Sequence, residues 1–138
     1  GFLGEGHYFM DYAEELLQKL SGEYQIYIAT NGTAHVQKGR IASAGIRDYV
    51  EDVFISEEIG VNKPSKEYFD RCFERIPDFD RNEAVVIGDS LTSDILGGIN
   101  AGVRTIWFHK EGEENGTGII PDYEITDLRE LPDLLKKL

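Results

Sequence analysis

The chain has 138 residues, 41% hydrophobic and 29% charged, which is typical of one globular domain with a sizeable core. Its 26 acidic and 14 basic residues give a formal net charge of -12, so we expect no binding to a nucleic-acid polymer. A small anionic ligand would need a metal ion or a local positive charge beside it. We therefore expect a single domain over residues 1–138.

The cellular setting follows from three simple features of the sequence. No apolar run is long enough to cross a bilayer, so no membrane partner is expected. Residues 1–10 lack the basic and apolar regions of a signal peptide. The single cysteine, Cys72, excludes an internal disulfide, and we expect it on the apolar face of a helix. Together these features predict a reducing, cytoplasmic location.

The first half of the chain predicts alternating helices and strands. Apolar residues at helical spacing predict a first helix ending near 21–22, and they are Phe9, Ala13, Leu16, Leu17 and Leu20. Short runs rich in β-branched and aromatic residues predict buried strands at 26–29 and 53–55. Between them we expect a helix over 34–44, followed by Gly45 in the position after its last turn.

The second half continues the same alternation. Its apolar runs predict three more strands, at 84–87, 103–108 and 123–125. Pro64 is expected to open a helix that Pro77 ends, and another helix should end at Ala101. A last helix follows, with Asp127 as its cap and Glu130 reaching back to that cap.

This order of elements predicts an α/β fold. The central strands are apolar on both faces, which is typical of a parallel, Rossmann-like sheet covered by helices on both sides. Ligands of such sheets bind beyond the carboxyl ends of the strands. The residues that follow each strand are therefore the candidates for function.

The first such segment is Thr30-Asn31-Gly32. A hydroxyl at a strand end, followed by a glycine that lets successive N–H groups turn together, can bind an anion. These residue types are also common in an ordinary turn before a helix, so the segment alone leaves both interpretations open.

Two carboxylates follow the strand at 84–87. Asp89 and Asp94 bracket a short polar loop, and hard oxygen ligands of this kind suit Mg²⁺. The alternative is a turn residue at Asp89 and a favourable charge in the first helical turn at Asp94. An acidic residue directly after an apolar strand needs a partner, which favours the metal site.

Lys63 is the candidate cation. It precedes Pro64 at a predicted helix start, where the helix dipole disfavours positive charge. Its ammonium is better explained by a phosphate or carboxylate across the site, although a solvated lysine is equally compatible with the local sequence. Taken together, a hydroxyl, a cation and two carboxylates on one side of the sheet predict a metal and phosphate site.

These segments resemble the motifs of a known family. Residues 28–32 (IATNG), 62–64 (NKP) and 86–90 (VIGDS), with Asp94 after them, are similar in order and spacing to the second, third and fourth motifs of the haloacid dehalogenase superfamily. The similarity runs through nearly the whole chain. The segments that look most like the pyrimidine 5′-nucleotidase-like branch are 30–45 and 87–107.

The resemblance implies a role for each phosphate-side residue. Thr30 would donate a hydrogen bond to a phosphoryl oxygen, helped by the backbone amides of Asn31 and Gly32. Lys63 would pair with the attacking carboxylate and with the phosphoryl oxygens. The implied reaction is Mg²⁺-dependent hydrolysis of a small phosphomonoester, such as a nucleoside 5′-monophosphate, through an aspartyl-phosphate intermediate.

On the metal side, the resemblance implies that Asp89 binds Mg²⁺. Asp94 would hold the water shell of the metal or orient the loop. A 2-haloacid dehalogenase needs no metal, so the second carboxylate argues against that alternative. A third alternative is a domain that binds phosphate without turnover.

One family feature does not match. The first motif, Asp-x-Asp-x-Thr, should come before the others, but the only Asp-x-Asp of the chain is at 78–80, in the wrong order and without a preceding apolar strand. We therefore expect the nucleophile, the substrate-selecting cap and the central first strand to lie outside these residues. The segment 1–20 should be the helix that returns from the cap.

The missing strand has a structural consequence. Strands lie about 4.8 Å apart, so its two neighbours would be left roughly 10 Å apart with unpaired edges. We predict either that gap or another segment filling it, and not a direct ladder between 26–29 and 84–87. We also predict no phosphatase activity for this chain alone.

Overall fold

The computed structural model describes residues 2–4, 13–44, 47–63 and 65–138. Its strands are β1 (Phe2–Gly4), β2 (Ile26–Thr30), β3 (Asp52–Ile55), β4 (Val85–Gly88), β5 (Arg104–Phe108) and β6 (Tyr123–Ile125). Its α-helices are α1 (Ala13–Leu20), α2 (Ala34–Ala44), α3 (Ser56–Ile59), α4 (Lys66–Glu74), α5 (Leu96–Asn100) and α6 (Leu131–Lys136). Shorter helical turns lie at Arg47–Tyr49, Arg81–Glu83, Leu91–Ile95 and Leu128–Glu130.

The strands form one parallel sheet in the order β3-β2-β1-β4-β5-β6. β1 lies at the centre and pairs with β2 on one side and β4 on the other. The place predicted for a missing strand is therefore filled by another segment, and β2 and β4 form no direct ladder. The expectation of a helix over 1–20 was wrong for its first residues, because Phe2–Gly4 is a strand. Phe9 lies outside the described residues.

Helices cover both faces of the sheet, as predicted. On one face, α1 and α6 pack on alternate strand residues, including Ile26 and Ile28. On the other face, α4 packs on the residues between them, Tyr27 and Ala29. β2 is buried along its whole length because its two sets of side chains enter two hydrophobic layers. Within the described ranges, none of the helices has the length and apolar character that crossing a bilayer requires.

Most predicted elements are present, with shifted ends. Pro64 and Gly45 lie outside the described residues; α4 is capped by Ser65, whose side chain accepts a hydrogen bond from the N–H of Glu67. This helix ends at Glu74, before Pro77. α3 was not predicted, because its four residues are too few to show a period. The capping box predicted for the last helix is present.

Cys72 lies on the buried side of α4, as expected, and gives a first testable prediction. Burial raises the pKa of its thiol to about 12 from 9.0. The folded chain should therefore resist a disulfide reagent such as dithionitrobenzoate at pH 8, and react only as fast as it unfolds. Since the thiol ionises more easily in the unfolded chain, the Cys72 contribution to stability should be lost as pH rises from about 9 to about 12. Fast reaction of the native chain at pH 8 would contradict this environment.

Candidate active site

The polar segments predicted from sequence follow parallel strands and lie at the same edge of the sheet. β2 ends at Thr30 and β4 ends at Gly88, directly before Asp89. Thr30 pairs with Ile55, the last residue of β3, so the segment after β3 also starts at this edge. The loops after β2 and β3 therefore emerge side by side, and the loop after β4 starts at the same edge with β1 between.

Lys63 and Asp94 join two of these loops through a buried ion pair. The ammonium Nζ lies 2.6 Å from Oδ1 of Asp94, and the two side chains are 0% and 3% exposed. Nζ also donates to the backbone carbonyl of Ala29 at 3.1 Å. The solvated-lysine alternative is wrong, because the ammonium of Lys63 reaches the end of β2 and its charge is paired inside the protein.

Asn31 fixes the main chain of Lys63. Its Oδ1 accepts a hydrogen bond from the N–H of Lys63 at 2.9 Å, and its Nδ2 lies 3.5 Å from the Lys63 carbonyl oxygen. The backbone carbonyl of Asn31 accepts from Thr30 Oγ1 at 3.3 Å and from Gln37 Nε2 at 2.8 Å. The structure thus brings Thr30, Asn31 and Lys63 together, as predicted.

Gly32 shows why this loop needs glycine and how it is held. Its φ is +133°, and an added Cβ would lie 2.7 Å from Nε2 of Gln37. Its N–H donates to Ser56 Oγ at 2.9 Å, and that hydroxyl donates to the Gly32 carbonyl at 3.3 Å. The Gly32 amide therefore already has an acceptor, and a phosphoryl oxygen would have to replace Ser56 in order to bind it.

Sequence reasoning missed three residues that hold the loop after β2, two of them directly after β3 and one in α2. Ser56 is 4% exposed and bonds Gly32. Glu57 accepts from the N–H of Ala34 at 2.9 Å, at the start of α2, while its own N–H donates to the Gly32 carbonyl at 3.3 Å. Gln37 is buried and supports Asn31. The available signal was a serine and an acidic residue directly after a strand, which favours a helix start.

The loop after β4 is built around Asp94. Its Oδ2 accepts from the N–H of Ser90 at 3.4 Å, while Oδ1 meets Lys63. Ser90 Oγ in turn accepts from the N–H of Ser93 at 3.2 Å. Both carboxylate oxygens of Asp94 are thus engaged within the protein, so its geometry favours orienting the loop over binding a metal directly.

Asp89 is the better candidate for a direct ligand. It is partly exposed at the end of β4, and its carboxylate is a hard donor of the kind that Mg²⁺ takes. No group of three or more metal-ligating side chains occurs among residues 2–4, 13–44, 47–63 and 65–138. The carboxylate of Asp89 is therefore of the donor type that fits magnesium, while the carboxylate of Asp94 is paired with Lys63.

Gly88 provides the space for the Asp94 carboxylate and yields a second prediction. A Cβ at this position would lie 2.3 Å from Oδ2 of Asp94. Gly88→Ala should therefore displace the buried ion pair and destabilise the chain by about 1–3 kcal/mol in urea unfolding. Gly39→Ala is the matched control, because it adds the same methyl to open space in a helix and should stabilise by roughly 0.5–1 kcal/mol. Equal effects of the two substitutions would contradict the packing described here.

Comparison with known proteins gives the class. A sequence model of the haloacid dehalogenase-like hydrolase family matches residues 2–102, and the chain belongs to this family. It is 45% identical over 134 residues to the putative HAD-hydrolase YfnB of Bacillus subtilis, covering 97% of this chain and 57% of YfnB. The crystal structure of YfnB bound to magnesium superposes with a TM-score of 0.88 at 44% identity, over 91% of this chain and 55% of that one.

Within the family, the chain is similar to the branch that contains pyrimidine 5′-nucleotidases. It is 42% identical over 125 residues to the pyrimidine 5′-nucleotidase YjjG of Escherichia coli, covering 91% of this chain and 56% of YjjG. It is 40% identical over 126 residues to the pyrimidine 5′-nucleotidase PynA of Streptococcus pneumoniae, covering 91% and 53%. The chain spans about half the length of the curated relatives it matches.

Proposed function

We propose that residues 1–138 form one core domain of a Mg²⁺-dependent phosphohydrolase that acts on a nucleoside 5′-monophosphate. The observation that carries the proposal is the convergence of Thr30, Lys63 and Asp94 with the loop of Asp89 at one edge of the sheet. Such an edge combines a hydroxyl donor, a cation and carboxylates, which is what a phosphoryl group with a bound metal requires. The relatives named as pyrimidine 5′-nucleotidases support the substrate class.

In this proposal the residues of the chain bind and orient the phosphoryl group. Thr30 donates its hydroxyl to a phosphoryl oxygen, exchanging the Asn31 carbonyl for the substrate. Lys63, held by Asn31 and Asp94, supplies positive charge at the end of β2. Asp89 would hold Mg²⁺, which supplies charge neutralisation for the phosphoryl oxygens when bound. The carboxylate that attacks phosphorus is an aspartate outside these residues.

The relatives named as pyrimidine 5′-nucleotidases favour the phosphohydrolase over a dehalogenase on this fold. The single cysteine supports a cytoplasmic location.

The function is tested in a hybrid protein, in which this chain replaces the 125-residue region of YjjG to which it is similar. We expect the hybrid to hydrolyse uridine 5′-monophosphate with Mg²⁺ and to lose activity when the metal is removed with a chelator. A folded hybrid without turnover would contradict the proposed function. Conversely, the 138-residue chain assayed alone should release no phosphate, and Mg²⁺-dependent turnover by it would overturn the placement of the nucleophile.

A further inference from the structure

Trp107 makes a contact with the candidate metal loop that the phosphate chemistry does not account for. The tryptophan lies in β5 directly opposite Gly88 in the strand register, and it is 1% exposed. Its indole Nε1–H donates to the backbone carbonyl of Asp89 at 3.1 Å.

The indole ring is itself held in place by its surroundings. It stacks on the imidazole of His109, with ring centroids 3.9 Å apart and an interplanar angle of 25°. Nε2 of His109 lies 3.0 Å from Oε1 of Glu124, and Nδ1 lies 2.8 Å from the Lys110 carbonyl oxygen. Each imidazole nitrogen therefore lies beside an oxygen acceptor, and the stack limits the freedom of the buried indole to turn away from Asp89.

The position of this contact gives it consequences for the metal loop. Asp89 is the first residue after β4, where the regular ladder with β5 ends at the pair of Gly88 and Trp107. A hydrogen bond to the Asp89 carbonyl fixes the peptide plane that follows the aspartate and so limits where its side chain points. Groups that orient a metal ligand without touching the metal commonly set its affinity.

We propose that Trp107, braced by His109, is a positioning residue that fixes Asp89 for binding the divalent cation. This inference rests on the proposed function for the identity of the cation, and on the contacts above for the role of the tryptophan. A residue of β5 would then help to form the metal site, in addition to the residues of the loop motifs.

The critical variant is Trp107→Phe, which removes the indole N–H and keeps an aromatic ring against His109. Its matched control is Tyr68→Phe, because Tyr68 is also fully buried and donates to a backbone carbonyl, that of Phe54, at 2.6 Å. Both variants lose one buried donor to a main-chain acceptor, so both should lose similar stability. Only Trp107→Phe should disturb the loop at Asp89.

Two measurements separate the outcomes. Hydrogen exchange of the metal-free chain should show about tenfold faster exchange of the Ser90 amide in Trp107→Phe and no change there in Tyr68→Phe. Calorimetric titration with Mg²⁺ should show about tenfold weaker binding in Trp107→Phe, with Tyr68→Phe within about twofold of the unsubstituted chain. Unchanged exchange at Ser90, or unchanged Mg²⁺ affinity, in Trp107→Phe would overturn the positioning role.

A third signal comes from the tryptophan itself, which is the only one in the sequence. Its fluorescence in the unsubstituted chain should change along the same Mg²⁺ saturation curve as the calorimetric heat, and Asp89→Asn should abolish both. If the unsubstituted chain gives neither heat nor fluorescence change with Mg²⁺, the magnesium proposal is contradicted and the positioning role falls with it. Binding heat without any effect of Trp107→Phe contradicts the positioning role alone.

Discussion

Replacing Lys63 by methionine is expected to lower the free energy of unfolding by about 3–5 kcal/mol. The substitution keeps the volume of the side chain but leaves the Asp94 carboxylate buried without its cation, since the two side chains are 0% and 3% exposed. Urea unfolding followed by circular dichroism measures the effect. A loss of this size is a large fraction of the about 5–15 kcal/mol by which a globular domain is typically stable.

Two controls decide whether the ion pair is the cause. Lys66→Met breaks the pair of Lys66 and Asp70, which lies on the surface with 63% and 33% exposure, and should cost less than about 1 kcal/mol. The double variant Lys63→Met with Asp94→Asn should be more stable than the sum of the single effects predicts, because the uncompensated charge is gone. Additive losses would show that the two residues do not interact as described.

Thr30→Val in the YjjG hybrid is expected to lower kcat/KM for uridine 5′-monophosphate by about 100- to 1000-fold. Valine keeps the shape of the threonine but removes the one hydroxyl that the end of β2 offers to a phosphoryl oxygen. Because Thr30 is 2% exposed and the change is nearly isosteric, the fold should be retained. Steady-state kinetics with saturating Mg²⁺ measures the loss.

The matched control is Thr105→Val. Thr105 is also buried, at 0% exposure, but its hydroxyl bonds Asp122 beside β5 and β6. This variant should lose some stability and keep kcat/KM within about threefold, because it removes no donor from the transition state. Equal losses in the two variants would assign the effect of Thr30 to folding and not to phosphate binding.

The sequence predicted the fold well where the apolar period is strong. The buried strands and the amphipathic helices α1 and α4 could be found because their apolar residues follow the strand or the helix pattern. α3 and the helical turn at Leu91–Ile95 could not, since four or five residues carry no period and their ends depend on contacts with other loops. β1 was missed because three residues are too few to show a strand pattern in the sequence. They form a strand through their pairing with β2 on one side and β4 on the other.

The sequence likewise predicted some residues of the candidate site and missed others. Three site residues could be predicted because they follow a strand or precede a helix, and they are Thr30, Lys63 and Asp89. Ligands of parallel sheets bind at the carboxyl ends of the strands, which is where such residues lie. The hydrogen-bond and ion-pair partners of these residues could not be predicted from the sequence. That Asp94 would neutralise Lys63, or that Ser56 would take the Gly32 amide, depends on side-chain packing between loops far apart in sequence. Trp107 gave no signal at all, because a tryptophan in a strand is most often a core residue.

The convergence of the three loops on one ligand is tested most directly by titrating the ¹⁵N-labelled chain with inorganic phosphate in the presence of Mg²⁺. Backbone amide signals of Thr30, Asn31, Lys63 and Asp89 should move along one common saturation curve, and Thr30→Val and Asp89→Asn should each weaken it. Signals that move only elsewhere in the chain, or a saturation curve that neither substitution weakens, would show that this edge of the sheet does not bind the phosphoryl group.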